Sequence, residues 1–158
     1  LGNNKDAFKN ELLANPGVTT ASFSGYLPVT NSSRNDNSYS KDAVMDASNG
    51  FNMQTWTVDD QYINTMGMQI VKGRNFSPEF PSDSNAVIIN ETTEKLLGHE
   101  NPVGKKIYTT DGPDNDVISY DIIGVVKNFN YETLKQNVGP LCMRLRPSTS
   151  LASFFLIS

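Results

Sequence analysis

The order of apolar and polar residues along the chain predicts many short strands and few helices. Three consecutive β-branched residues at 87–89 predict a strand that is covered on both faces. Residues 117–127 form the longest and most apolar strand, which we expect at the centre of a sheet with a bulge at Gly124. The alternation within 51–58 predicts a strand but leaves its buried face open. Further strands are predicted at residues 18–24, 43–47, 68–71, 105–109, 141–145 and 153–157.

Two helices are predicted in the first half of the chain. Residues 4–14 place Phe8, Leu12 and Leu13 on one face and end at an Asn-Pro-Gly turn. A second, short helix is predicted to start at an acidic pair, residues 59–60, where negative charge suits the helix dipole. It runs through Met66, and Gly67 ends it.

The stretch from residue 85 to residue 104 predicts a complete strand–helix–turn unit. Asn90 follows the strand, and its side-chain oxygen is suited to accept the free amides of the next turn. Glu91 lies at the positive end of the helix, Gly98 allows the left-handed conformation that ends it, and Pro102 prevents it from resuming.

The remaining segments are predicted to be loops. The stretch between Thr30 and Ser40 is too polar to pack, residues 111–116 form a hairpin-like loop, and residues 146–148 form a turn. Strands separated by short helices, with hairpins between them, indicate an α+β fold rather than a doubly wound one.

Composition narrows the class of protein. A chain of 158 residues with 37% hydrophobic and 19% charged residues is typical of a globular domain or of two small lobes. The net charge of −4, mixed along the chain, argues against nucleic-acid binding, and a single cysteine excludes an internal disulfide. No apolar run reaches the roughly 18 residues of a membrane span, and no signal peptide is found. Since the sequence also lacks an initial Met, we expect a piece of a longer protein.

The candidate sites for chemistry have simpler structural interpretations. The stretch from Gly98 to Lys106 has five residues between its glycines where a phosphate loop has four, and it follows a helix instead of preceding one. The acidic residues of 111–116 do not match the ligand positions of a calcium loop, which makes a solvated loop the better interpretation. His99, the single histidine, would have to serve any hydrolase or zinc site, and it has no neighbouring partner motif.

Three further features have two interpretations each. The pair Asp59-Asp60 is better explained as helix-start charge than as a glycosidase pair. Trp56 and Tyr62 could line a ligand groove, but aromatic residues next to a helix start are more often part of the core. Arg74 could cross-link loops through its planar donors or bind the carboxylate of a partner protein, and we favour the first.

Four motifs in register resemble the periplasmic core domain of MacB/FtsX-like ABC transporter permeases. They are residues 62–68, the Gly-Arg-x-Phe turn at 72–76, the unit at 85–104 with its Asn-Pro-x-Gly-Lys turn, and the Gly-Val-Val-Lys strand at 122–129. The match is close from Trp56 to Pro147 and looser before it. The residues to which the resemblance assigns a structural role are Gly67, Gly73, Arg74, Phe76, Asn90, Glu91, Asn101, Pro102, Gly104, Lys105, Gly124, Val125 and Val126.

The resemblance implies a two-lobed α+β fold. A porter-like lobe would come from residues 1–50 and 139–158, and a smaller mixed α/β lobe, residues 51–138, would be inserted into it. Family members continue beyond the strand at 153–157 with another helix and strand, so we expect the porter-like lobe to be incomplete and its sheet edge exposed.

The resemblance also implies a function. The domain would lie outside the cytoplasm between two transmembrane helices of a dimeric permease, and the segment itself is expected to be soluble. It would pass ATP-driven helix motion to a periplasmic adaptor, lipoprotein or cargo, with ATP hydrolysed on a cytoplasmic subunit or domain. No catalytic residue, cofactor, metal or nucleic acid is expected. The alternative is a periplasmic module that binds a lipid, peptide or drug in a cleft between lobes; a hydrolase that uses His99 ranks third.

Overall fold

The computed structural model describes residues 5–26, 35–46, 48–111, 116–129, 138–145 and 154–157. The predicted turn at 146–148 and the tip of the loop at 111–116 lie outside these residues. The elements, in chain order, are α1 (Lys5–Leu13), β1 (Ala21–Ser24), β2 (Asp36–Ser40), β3 (Gly50–Val58), α2 (Tyr62–Thr65), β4 (Ile70–Gly73), a 3₁₀ helix (Pro81–Asn85), β5 (Ala86–Asn90), α3 (Glu91–Leu97), β6 (Lys106–Asp111), β7 (Asp116–Val126), β8 (Leu141–Leu145) and β9 (Phe154–Ile157).

The strands of the described residues form one mixed sheet in the order β2-β6-β7-β5-β8-β3-β1-β9, with β4 paired to β7. Because β2 also pairs with β3, the six strands β2, β6, β7, β5, β8 and β3 close into a ring. The length of β3 makes this possible: its first half pairs antiparallel with β2, and its second half pairs parallel with β8.

Two apolar cores lie on the two sides of this ring. Successive side chains of a strand point to opposite faces. In β5, residues 87 and 89 therefore enter one core, and residues 86 and 88 enter the other. The inner core, with α3 at its margin, consists of Tyr39, Met53, Val87, Ile89, Leu97, Ile107, Tyr120, Ile122, Val125 and Cys142. The outer core, which includes α2, consists of Tyr26, Trp56, Val58, Tyr62, Ile63, Phe76, Ala86, Ile88, Val126, Leu141 and Met143.

Most of the predicted elements are confirmed. The first helix, the strand at 51–58, the strand–helix unit of β5 and α3, and the long strand β7 occur where the pattern placed them. The bulge predicted at Gly124 is present next to it: the register between β5 and β7 skips Ile123, the residue before Gly124. The sequence pattern left open which face of β3 is buried. Both faces are covered, because residues 53–56 are all buried.

Two predictions about the segment before β3 are wrong. The polar stretch that was predicted to be a loop through Ser40 contains β2, which pairs with β3 and with β6. Tyr39, which has no exposed surface, gives β2 its place in the inner core. The strand predicted at 43–47 is absent from residues 43–46, which bend instead, with Val44 73% exposed. The carboxylate of Asp46 accepts the amides of Ser48 and Asn49, and this turn takes the place of strand pairing.

A mixed α/β structure in which strands dominate is therefore established. Strands from both predicted lobes share the one sheet, because β2 and β8 pair with β3, β5 and β6. The boundaries of the porter-like lobe, 1–50 and 139–158, and of the inserted lobe, 51–138, stay a prediction. No helix in the described ranges combines the length and the apolar character needed to cross a membrane.

Candidate functional site

Gly73 and Gly124 lie where the backbones of β4 and β7 come into close contact. The two glycines face each other in the strand pairing, and the Arg74 N–H donates to the carbonyl of Ile123 at 3.0 Å. A β-carbon on Gly73 would lie 2.1 Å from the Ile123 carbonyl oxygen, and one on Gly124 would lie 2.4 Å from the Arg74 carbonyl oxygen. Since Gly73 also has a φ of 69°, only glycine fits this position without strain.

Arg74 connects the end of β4 to the 3₁₀ helix. Its Nη1 and Nη2 donate to the two carboxylate oxygens of Asp83 at 2.8 and 2.7 Å, and Nη1 also donates to the Asn75 carbonyl at 3.0 Å. The guanidinium carbon lies 4.3 Å from the centre of the Phe80 ring. The hydrogen bonds from Arg74 and from the Ser77 amide lower the pKa of Asp83. Of the two interpretations of this arginine, the geometry favours the cross-link.

Asp83 is a residue that sequence reasoning missed. Its side chain is only 1% exposed, under an Arg74 side chain that is 39% exposed. The one available signal, an acid near the start of a Pro-led turn, indicates a helix start and does not point to Arg74.

Asn90 caps α3 and also binds the backbone that enters β8. Its Oδ1 accepts the amides of Thr93 at 3.0 Å and of Leu141 at 3.2 Å, and its Nδ2 donates to the Gly139 carbonyl at 2.8 Å. The Thr93 hydroxyl accepts the same Leu141 amide at 2.9 Å. Asn90 and Thr93 are fully buried, so the cap is part of the core rather than a surface feature.

The rest of the first turn of α3 binds the chain at the end of β7. The Glu91 carboxylate accepts the amide of Asn128 at 2.9 Å, and Asn128 Oδ1 accepts the amide and the hydroxyl of Thr92, each at 3.2 Å. The Thr92 hydroxyl oxygen also lies 3.0 Å from the Val138 carbonyl oxygen, so its single hydrogen is shared between two acceptors. The first turn of α3 therefore fixes residues 128 and 138 to the same helix.

The turn that follows α3 is attached to β7. The Asn101 side chain accepts the amide two residues further on at 3.2 Å, and the Lys105 amide donates to the Pro102 carbonyl at 3.0 Å. Gly104, with φ of 84°, donates its amide to the Ile122 carbonyl at 2.8 Å, and the Ile122 amide donates to the Lys105 carbonyl at 2.9 Å.

The remaining motif residues end a helix or fill the cores. Gly67, with φ of 63°, donates its amide to Asn64 at the end of α2. Phe76 and Val126 are buried in the outer core, and Val125 is buried in the inner one. The family-motif residues thus serve packing, capping and loop attachment.

Asp59 receives four donors from three parts of the chain. Its Oδ1 accepts from the Ser22 hydroxyl at 2.5 Å and from the Gln61 amide at 3.1 Å. Its Oδ2 accepts from the Phe23 amide and from the Lys9 ammonium, each at 2.9 Å. Sequence reasoning predicted that α2 starts at the pair Asp59-Asp60. The helix instead has Gln61 at its cap position with no side-chain cap hydrogen bond, so Asp59 lies just before the helix. The contacts of Asp59 with α1 and β1 were missed.

The residues considered for catalysis or metal binding are not brought together. His99 is half-buried just after α3, and no group of three or more His, Cys, Asp or Glu side chains in the described ranges could bind a metal ion. Cys142 is buried in the inner core 3.5 Å from the Tyr39 hydroxyl, and burial raises the pKa of its thiol. Trp56 and Tyr62 have no exposed surface, so they are core residues.

Comparison with solved structures shows where else this fold occurs. The chain is similar to the periplasmic region of MacB from Actinobacillus actinomycetemcomitans, with a TM-score of 0.58 and 14% identity over 89% of this chain and 54% of that one. It is similar to the extracellular domain of the noncanonic ABC-type transporter YknZ from Gram-positive bacteria, with a TM-score of 0.55 and 17% identity over 89% and 61%. A domain of a putative permease protein from Porphyromonas gingivalis gives a TM-score of 0.56 and 14% identity over 86% and 54%.

The chain spans between about half and three fifths of the length of these structures. A comparison with curated protein sequences gave no match. The model of one protein family, the MacB-like periplasmic core domain, matches residues 4–141, which is most of the chain. The resemblance noted from the four motifs is thereby confirmed, and with it a location outside the cytoplasm: the chain belongs to the MacB-like periplasmic core domain family.

Proposed function

We propose that this domain transmits the ATP-driven movement of transmembrane helices in an ABC transporter permease to a periplasmic partner or cargo. The permease would work as a dimer, with ATP hydrolysed on a cytoplasmic subunit or domain. The partner would be a periplasmic adaptor, a lipoprotein or the transported molecule. The domain itself would have no catalytic activity.

The observation that supports this proposal most directly is that the family-motif residues make contacts inside the domain. Arg74 is paired with an internal carboxylate, Asn90 caps a buried helix, and Gly73 and Gly124 bring two backbones together. Such contacts stiffen a body and do not activate a side chain. A stiff body that moves as a unit suits the transmission of motion.

A distance measurement in the whole permease tests the proposal. One spin label is placed on α1 through Asn10→Cys and another on α3 through Lys95→Cys, both exposed positions. The native Cys142 is fully buried and therefore poorly accessible to the label. Labels at Lys95→Cys on α3 and Thr110→Cys on β6 give the control pair. Both lie in the sheet body, by which we mean the sheet together with α3.

We expect the distance between α1 and α3 to change between the ATP-bound and nucleotide-free permease, while the control distance stays the same. A domain that only binds a ligand in a cleft would give distances that respond to the ligand and not to ATP. That second result would overturn the proposal in favour of the binding module.

A further inference from the structure

Asp59 lies at the corner where β3 ends, and its carboxylate connects three elements that are distant in sequence. Lys9 comes from α1, Ser22 and Phe23 from β1, and Gln61 from the residue before α2. All four donor–acceptor distances are between 2.5 and 3.1 Å. The backbone of the corner adds a bond from the Asp59 amide to the Phe23 carbonyl at 3.1 Å.

The ion pair at this corner is largely withdrawn from solvent. The side chains of Lys9 and Asp59 are 16% and 17% exposed. The Lys9 ammonium also lies 5.8 Å from the centre of the Phe23 ring. An ion pair with this little exposure is less screened by salt than a surface pair, and a hydrogen bond to a charged group is stronger than a neutral one.

The apolar face of α1 is only partly covered by the rest of the domain. Phe8 and Leu13 are each 40% exposed, and Leu12 is half-buried. A nine-residue helix is not stable in isolation, so its docking depends on the contacts it makes. The Lys9–Asp59 contact is one of the contacts that hold α1 on the sheet.

We propose that Asp59 is a joint that couples the docking of α1 to the positions of β1 and α2. One carboxylate accepts all four hydrogen bonds, so a donor that moves also displaces the Asp59 carboxylate. Its oxygens then leave the positions in which they accept from the other donors. Release of α1 thus weakens the hydrogen bonds at the β1–α2 corner, and weakening of those bonds favours release of α1.

That α1 would pass transmembrane motion through this joint to the β1–α2 corner rests on the proposed function; the coupling at Asp59 does not. A domain that transmits no motion would still show the coupling. A domain that transmits motion through other contacts would lack it. The two proposals therefore fail separately.

Hydrogen exchange in the 158-residue chain tests the joint. Exchange of the α1 amides is measured relative to that of the α3 amides in three variants. Lys9→Met removes the ammonium but keeps an apolar side chain. Ser22→Ala removes a neutral donor from Asp59 without altering α1. Lys106→Met is the matched control, because Lys106 forms an exposed ion pair with Asp121 at 2.7 Å.

We expect Lys9→Met to raise the opening of α1 by about tenfold or more, as the loss of a hydrogen bond to a charged group would. Ser22→Ala should raise the same opening by about twofold or more, through Asp59 alone. Lys106→Met should leave α1 unchanged.

Either of two results would overturn the joint. In the first, Lys9→Met has no larger effect on α1 than Lys106→Met, so other contacts dock the helix. In the second, Lys9→Met releases α1 but Ser22→Ala does not, so the ion pair acts alone and Asp59 couples nothing. Both variants leave the two apolar cores intact, so the test does not depend on a variant that fails to fold.

Discussion

The helices α3 and α1 pack against the same sheet but are attached to it in different ways. The first turn of α3 is joined to two other segments by neutral and charged hydrogen bonds, and Asn90 and Thr93 at its start have no exposed surface. In α1 the apolar side chains Phe8 and Leu13 remain 40% exposed, and Lys9 provides an ion pair to the corner at Asp59.

This contrast shows how one small domain can contain both a stiff part and a movable part. Buried, mutually satisfied polar groups rigidify the region around α3, because each lost bond would leave a buried group without a partner. A helix with a half-exposed apolar face opens at a lower free energy than the core does. We therefore expect mutations near α3 to unfold the domain, and mutations in α1 to release the helix and loosen the corner at Asp59 without unfolding the rest.

The largest expected effect is that of Gly73→Ala in the body of the sheet. The new β-carbon would meet the Ile123 carbonyl oxygen at 2.1 Å and would also face a positive φ. The free energy of unfolding should fall by roughly 3 kcal/mol or more, from strain and overpacking together. Gly98→Ala is the matched control: φ is 70° there but nothing lies within 4 Å, so about 1 kcal/mol should be lost. Equal losses in urea unfolding would show that close approach contributes nothing.

Asn90→Ala should cost about 2 to 3 kcal/mol, because it removes the cap of α3 and the buried hydrogen bonds of Asn90 to the Gly139 carbonyl and the Leu141 amide. Asn101→Ala removes an exposed side-chain bond in the turn after α3 and should cost less than about 1 kcal/mol. Thermal and urea unfolding of the two variants measures the contrast. If the two asparagines proved equal, the buried cap would not be a main support of the body.

Arg74→Met should cost about 1 to 2 kcal/mol, since it leaves the Asp83 carboxylate buried without its cation. This figure is set below that of a fully buried pair because the Arg74 side chain is 39% exposed. The measurement is the free energy of unfolding at pH 7, with Lys106→Met, from an exposed pair, as the control.

The same pair predicts a dependence on pH. The pKa of Asp83 is lowered in the folded state, first by the hydrogen bonds from Arg74, so the pair stabilises the fold above the ordinary carboxyl pKa of 3.8. This stability should be lost as the pH falls from that value through the lower folded pKa. Urea unfolding between about pH 5 and pH 2 should therefore show a steeper loss in the unmodified protein than in Arg74→Met. Parallel curves would contradict the assignment.

The smallest expected effect on global stability is that of Lys9→Met. The variant weakens only the docking of α1, so the free energy of unfolding should fall by at most about 1.4 kcal/mol, the equivalent of a tenfold rise in helix opening. Urea unfolding followed by the fluorescence of Trp56, which is buried in the outer core, reports on the body. A loss as large as that of Asn90→Ala would show that α1 and the body unfold as one unit.

Local sequence signals predicted the region around α3 and failed for the segments that depend on distant partners. The β-branched run, Asn90 and Gly98 act within one strand and one helix, so their effect can be inferred from neighbours along the chain. In β2 a polar sequence becomes a strand because it pairs with β3 and β6 and buries Tyr39. Such pairing leaves no trace in the local pattern.

The contacts of the candidate site divide in the same way. Arg74 was predicted to cross-link loops because its side-chain chemistry indicates it, but its partner Asp83 lies nine residues further on and has no sequence signal of its own. Asp59 was assigned a local role at α2, while Lys9 lies fifty residues before it in the sequence. The type of residue predicts the kind of contact, and the fold decides the partner.

Residue-resolved hydrogen exchange of the unmodified chain tests the contrast between the two helices most directly. The amides of the last turn of α3 should be protected at least about a hundredfold more than those of the last turn of α1, since the former open only with the sheet body. Protection that agrees within about threefold for the two helices would contradict the division into a stiff body and a detachable helix.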